Sequence, residues 1–267
     1  MYKIFMTKIN FASVMALLIW LSLSGFNFVS KKDFYQMKIY HLKNQAQEKR
    51  LDTFLEQAYL PALHRLGIKN IGIFKPILKP GEQPAERLIY VMIPFASERD
   101  FLKLERSLAK DATFQTNGKG YLDGLYSDPP YDRIESILLD AFDGHPKLTM
   151  PQLSTPKSER VYELRSYESH TERIAQNKIE MFNEGGEIDL FKRLNFNAVF
   201  YGKVISGSRM PNLMYLTTFN NKADRDAHWD SFKKDAQWQT LSKIPHYQNN
   251  VSKNEIKFLY PADYSDY

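Results

Sequence analysis

The sequence contains no cysteine among its 267 residues. This absence excludes disulfides, thiolate zinc sites and cysteine nucleophiles. It is compatible with an exported protein that depends on its core for stability, although many cytosolic proteins also lack cysteine. Basic residues do not form runs and the formal net charge is only +5, so nothing in the composition indicates a nucleic-acid partner.

The sequence also lacks the signatures of several enzyme classes. No HxxxH or HExxH motif is present, and the histidines are scattered, so we predict no metal site. No nucleophile elbow, P-loop or dinucleotide fingerprint occurs either. These absences argue against hydrolase and nucleotide-dependent chemistry.

Residues 1–24 have the pattern of a secretory leader. Lys3 and Lys8 precede an apolar run from Phe11 to Leu23, and small residues follow. The run is shorter than the roughly 20 residues that a spanning helix needs. We therefore predict a signal peptide and an exported protein, periplasmic or extracellular, without membrane contact once the leader is removed. An uncleaved anchor is the alternative.

The rest of the chain contains an internal duplication. The segment Tyr162–Tyr167 alternates apolar and polar residues as a half-buried strand does, and the segment Tyr35–Tyr40 repeats this pattern 127 positions earlier. Helix starts recur as well, because Ser97 and Asn221 each precede an aspartate by three residues. Both copies follow the order β-α-β-β-α-β of a ferredoxin-like unit.

These patterns predict the domain organisation. The first repeat covers residues 34–142, a proline-containing linker covers 143–158, and the second repeat covers 159–261. The polar tail after Pro261 is expected to fray. In each repeat the helices cover one face of the sheet and leave the other uncovered. Two such repeats can bury their uncovered faces by packing sheet to sheet. We therefore predict an α+β fold of tandem ferredoxin-like repeats, an intramolecular dimeric α/β barrel with a cavity between the repeats.

Several segments resemble the NIPSNAP family, in particular its exported bacterial tandem members. The resemblance covers most of the chain from about residue 34 to 261 and is carried by Arg160–His170, Glu187–Arg193, Pro211–Leu213, the segment around Trp238, Leu60–Gly67 and Tyr131–Ser136. It implies a dimeric α/β-barrel fold. It implies no defined activity, while the wider superfamily contains haem-degrading and cofactor-free monooxygenases as well as proteins that only bind.

Polar residues on the first strand of each repeat are the candidate ligand-binding residues. Glu163, Arg165 and Tyr167 share one face of their strand, and Lys38 and Tyr40 stand at equivalent positions in the first repeat. If the other, apolar face lies against the helices, these side chains line the cavity between the repeats. The alternative is a structural Glu163–Arg165 ion pair that satisfies itself.

His228 is a further candidate because the first repeat has Leu104 at the equivalent helix position. A histidine there could serve as an axial haem ligand or a general base, next to Trp229 and Trp238. The alternative is a core or partly exposed histidine with one partner, flanked by core aromatics.

Three functions are therefore compatible with the sequence. The first is small-molecule binding, or an undefined catalysis, in the cavity between the repeats, with no cofactor. The second is a monooxygenase-like enzyme that uses haem or only substrate and oxygen. The third is an interaction module without a site, and either a monomer or a homodimer agrees with all three.

Overall fold

The computed structural model describes residues 31–78, 81, 84 and 86–267. The predicted signal peptide lies outside these residues. Residues 32–267 form one compact unit. No helix in the described part of the chain is long and apolar enough to cross a membrane.

In the described residues, the first repeat contains four strands and five helices. In chain order these are β1 (Phe34–Leu42), α1 (Gln45–Phe54), α2 (Leu60–Arg65), β2 (Gly72–Pro76), β3 (Arg87–Phe95), α3 (Glu98–Ala109), α4 (Ala112–Asn117), α5 (Lys119–Leu122) and β4 (Arg133–Ala141). A π-helical turn, Leu55–Tyr59, joins α1 to α2. Pro61, the second residue of α2, lies just after this turn and has no backbone N–H to donate to the preceding turn.

The second repeat follows after a segment that has only one short 3-10 turn. Its elements are β5 (Val161–Glu168), α6 (Glu172–Asn183), α7 (Glu187–Arg193), β6 (Phe200–Ser206), β7 (Asn212–Phe219), α8 (Lys222–Lys234), α9 (Ala236–Leu241) and β8 (Lys253–Pro261). Helices α6 and α7 are separated at Gly186, whose φ is +81°. Glycine adopts this left-handed conformation without steric cost.

The eight strands close into one barrel in the order β1-β3-β2-β8-β5-β7-β6-β4. All neighbouring pairs are antiparallel, and β2 with β8 and β4 with β6 join the two repeats. Helices cover the outside, with one apolar core under the helices of each repeat and a third inside the barrel. The predicted fold, an intramolecular dimeric α/β barrel, is confirmed.

The tail after β8 is ordered, which corrects the expectation that it frays. Ala262 N donates to the carbonyl of Ile73 at 2.8 Å, and Ile71 N donates to Asp266 Oδ2 at 2.8 Å. Tyr267 is only 3% exposed and packs in the core of the barrel. The tail continues the pairing of β8 along β2 and buries Tyr267. A polar composition was therefore a poor guide to its order.

Candidate functional site

Apolar side chains fill most of the barrel interior. Tyr35 and Met37 of β1 and Tyr162 and Leu164 of β5 belong to one buried cluster with side chains of neighbouring strands. The expected orientation of the polar residues is therefore wrong, because Glu163 contacts the helix layer instead. Both faces of these strands are buried, so period-two alternation separates the faces without showing which one faces the barrel axis.

Glu163 is the centre of a buried ionic network in the second repeat. Its side chain is fully buried. The carboxylate accepts hydrogen bonds from Arg165 Nε, Arg225 Nε and Trp229 Nε1, each at 2.7 Å. Burial opposes ionisation, but the two guanidinium groups outweigh it and hold the pKa of Glu163 below its usual value. The predicted Glu163–Arg165 ion pair is present, and helix α8 extends it.

The space around this network is filled. The guanidinium of Arg165 lies 3.7 Å from the centre of the Trp229 ring, and its Nη1 donates to Tyr167 Oη at 3.0 Å. The hydroxyls of Tyr167 and Tyr215 are 2.8 Å apart. None of the four main cavities in the described part of the chain is lined by these side chains. The structure thus brings together Glu163, Arg165 and Tyr167 as mutually paired groups.

In the first repeat, the equivalent space between the strands and the helices contains an open pocket of about 670 Å³. We call it the first-repeat pocket. Its floor is the outer face of β1 and β4, where Gln36, Lys38 and Tyr40 lie. Its walls are mostly apolar and aromatic, and they include Tyr59, Phe101, Leu104, Phe114 and Tyr121. Two of the predicted ligand-binding residues, Lys38 and Tyr40, therefore line a pocket, although it is not the one between the repeats.

Lys38 is the charged group in the floor of this pocket. Its ammonium lies 5.2 Å from the ring centre of Tyr40 and 5.0 Å from that of Tyr59. No salt bridge joins Lys38 to a carboxylate among the residues that the structure describes. Burial raises the pKa of Tyr59, and the positive charge of Lys38 opposes that rise. Burial also raises the pKa of Tyr40, so both phenols stay neutral near neutral pH.

One helix position explains why the space between the strands and the helices is open in the first repeat and filled in the second. Helices α3 and α8 begin at equivalent caps, Ser97 and Asn221, whose side chains accept from the backbone N–H three residues on. Counting from these caps places Glu105 where α8 has Trp229. Glu105 is exposed, whereas Trp229 is buried over Arg165. The pocket occupies space that an indole fills in the other repeat.

A second, smaller cavity of about 100 Å³ lies between the repeats at one mouth of the barrel. His41 is 5% exposed there, and its two ring nitrogens contact Glu86 and Glu135, the latter at 2.8 Å. Arg209 pairs with Glu255 on the opposite side. No sequence motif pointed to His41 as a site residue. No group of three or more His, Asp or Glu in the described chain is arranged to hold a metal ion.

His228 is three-quarters covered and lines none of the four main cavities in the part of the chain that the structure describes. Its Nδ1 lies 2.8 Å from the backbone oxygen of Asp224, and Phe196 and Phe219 pack against its ring. No histidine lines the first-repeat pocket. The residues present therefore do not fit a haem that would use His228 as its axial ligand.

Comparison with known proteins gives the family of the second repeat. Residues 162–266 match the model of the NIPSNAP family. The second repeat is a NIPSNAP domain. This NIPSNAP domain holds the ionic network of Glu163, while the first-repeat pocket lies outside the matched residues. No functionally curated protein matches the chain in sequence.

Solved structures share the fold over most of the chain. A candidate monooxygenase from Fusobacterium nucleatum has a TM-score of 0.55 at 6% identity, covering 87% of this chain and 93% of its own. A candidate monooxygenase from Lactobacillus acidophilus has a TM-score of 0.54 at 10% identity, covering 86% and 94%. An anthrone oxidase-like protein has a TM-score of 0.52 at 9% identity, covering 88% and 93%. Identities this low show a common fold and no more.

Proposed function

We propose that the protein binds a small organic anion in the first-repeat pocket, with Lys38 contacting the anionic group. One observation carries this proposal: a lysine without a carboxylate partner in the described chain stands in the floor of an open pocket of about 670 Å³. The pocket size lies within the range of about 300–1,000 Å³ that is usual for ligand sites.

The energetics of Lys38 favour an anionic ligand over a neutral one. Withdrawing an ammonium group from water costs free energy unless an opposite charge or hydrogen bonds replace the lost hydration. The rings of Tyr40 and Tyr59 offset part of this cost. A carboxylate or sulfonate would supply the missing charge, and the aromatic walls would cover the apolar part of the same molecule.

Oxygen-dependent oxidation of the bound molecule is a second candidate. Two of the structures that share the fold are named as monooxygenases. The neutral phenols of Tyr40 and Tyr59 border the pocket and could donate hydrogen bonds to an oxyanion of an aromatic substrate. Oxygen uptake in the presence of a bound aromatic substrate would distinguish catalysis from binding alone.

Titration of the purified protein with anilinonaphthalene sulfonate, an aromatic anion whose fluorescence rises in apolar surroundings, tests the proposal. We expect Lys38→Met to weaken binding at least about tenfold, because a hydrogen bond to a charged group contributes about 1.5–3 kcal/mol. Lys49→Met is the matched control, since Lys49 is exposed on α1 away from the pocket. Equal affinities for the wild type and Lys38→Met would refute the proposal.

A further inference from the structure

Exposed leucines border the opening of the first-repeat pocket. Leu102 of α3 is 76% exposed and Leu122 of α5 is 39% exposed, and both line the pocket. The chain that follows α5 exposes Leu125 and Tyr126 as well. Apolar side chains gathered at a surface opening are typical of ligand or interaction sites. The apolar lining of the pocket therefore continues onto the surface of the protein.

The strand side of the pocket carries its lysine, whereas the helix side is mostly apolar, although Glu105 and Gln115 also lie there. On the strand side, Lys38 lies beside Gln36, whose Nε2 donates to Ser136 Oγ at 2.8 Å. The helix side is lined by Phe101 and Leu104. A molecule that satisfies both walls needs one anionic end and an apolar body.

The positive charge of Lys38 decides the orientation of such a molecule. Lys38 in the floor attracts the anionic end, whereas the leucines at the opening carry no charge that could pair with it. The anionic end is therefore favoured at Lys38, with the apolar part of the ligand directed towards Leu102 and Leu122.

We infer that the ligand class is a single-chain amphiphile, namely an alkyl or isoprenoid chain that ends in one anionic group, such as a fatty acid. Its anionic group contacts Lys38, and its chain runs along α3 and leaves the pocket over Leu102 and Leu122. This inference rests on the proposed function. A compact aromatic acid would satisfy Lys38 and the inner walls but would leave the leucines at the opening in water.

The test compares hexanoate with dodecanoate, both below their micelle-forming concentrations, by displacement of anilinonaphthalene sulfonate. We expect affinity to rise roughly three- to fourfold for each methylene that enters the pocket or covers its opening. Leu102→Gln should reduce the affinity for dodecanoate several-fold and leave that for hexanoate unchanged. Leu66→Gln changes a leucine that is 40% exposed outside this pocket and serves as the control.

The outcomes separate this inference from the proposal on which it rests. Lys38-dependent binding of the sulfonate together with equal affinities for hexanoate and dodecanoate would keep the proposed function and overturn the amphiphile. A gain with chain length that Leu102→Gln does not reduce would also overturn it. If Lys38→Met changes the binding of none of the three probes, both the inference and the proposed function are wrong.

Discussion

Lys38 and Arg165 occupy equivalent positions on β1 and β5, but among the residues that the structure describes only Arg165 forms a salt bridge with a carboxylate. The planar guanidinium of Arg165 stacks on Trp229 and donates to both Glu163 and Tyr167. The ammonium of Lys38 is a compact charge that lies beside aromatic rings. Arg165 therefore stabilises the second repeat, whereas Lys38 can contact a ligand.

The buried carboxylate of Glu163 leads to a prediction about stability. We expect Glu163→Gln to lower the free energy of unfolding at neutral pH by about 3 kcal/mol, because two guanidinium groups lose their carboxylate partner. The pKa of Glu163 is depressed in the folded protein. Its contribution is thus complete above the unfolded-state pKa of about 4.3 and is lost as the pH falls through the lower folded-state pKa.

Urea unfolding of wild type and Glu163→Gln from neutral to acid pH measures this contribution. The difference between the two proteins should shrink as the pH falls through the folded-state pKa of Glu163. Glu98→Gln, at an exposed position in the first turn of α3, should change stability by no more than about 1 kcal/mol. A difference that stays constant into strong acid would contradict a role for the ionised carboxylate.

At the scale of elements, helices α3 and α8 have the same start but different inner faces. The sequence predicted both caps, and the structure confirms them. Counting along the helices from these caps pairs Glu105 with Trp229 and Phe101 with Arg225. These pairs can be read from the sequence alone. Their consequence for the pocket depends on the structure, because it shows that these helix positions face the outer surface of the strands.

Restoring the indole of the second repeat should close the pocket of the first. We expect Glu105→Trp to weaken binding of anilinonaphthalene sulfonate at least about tenfold, because the new ring would occupy the space beside Lys38. Glu98→Trp places the same ring on an exposed part of α3 and should leave binding unchanged. Fluorescence titration measures the affinity of both variants, and thermal unfolding shows whether they are folded. If a folded Glu105→Trp protein binds as tightly as the wild type, the ligand does not bind in the first-repeat pocket.

At the scale of the whole molecule, the duplication determines the fold but not the site. Period-two alternation and helix-start residues predicted the order β-α-β-β-α-β in each repeat, and the strands of the structure follow that order. The inward face of β1 and β5 could not be predicted, because helices bury one face and the barrel buries the other. The pocket could not be predicted either, since its volume depends on side chains from several separate elements, among them Tyr59, Phe101 and Tyr121.

Two similar repeats of this protein have different chemistry, because the first contains an open pocket beside Lys38 and the second contains a filled ionic network around Glu163. Mapping of backbone amide chemical shifts during titration with anilinonaphthalene sulfonate tests whether the anion binds in the first of these two places. We predict that the shifted amides cluster around Lys38 on β1 and Leu104 on α3. Shifts that cluster around Arg165 in the second repeat, or around His41 at the mouth of the barrel, would contradict binding in the first-repeat pocket.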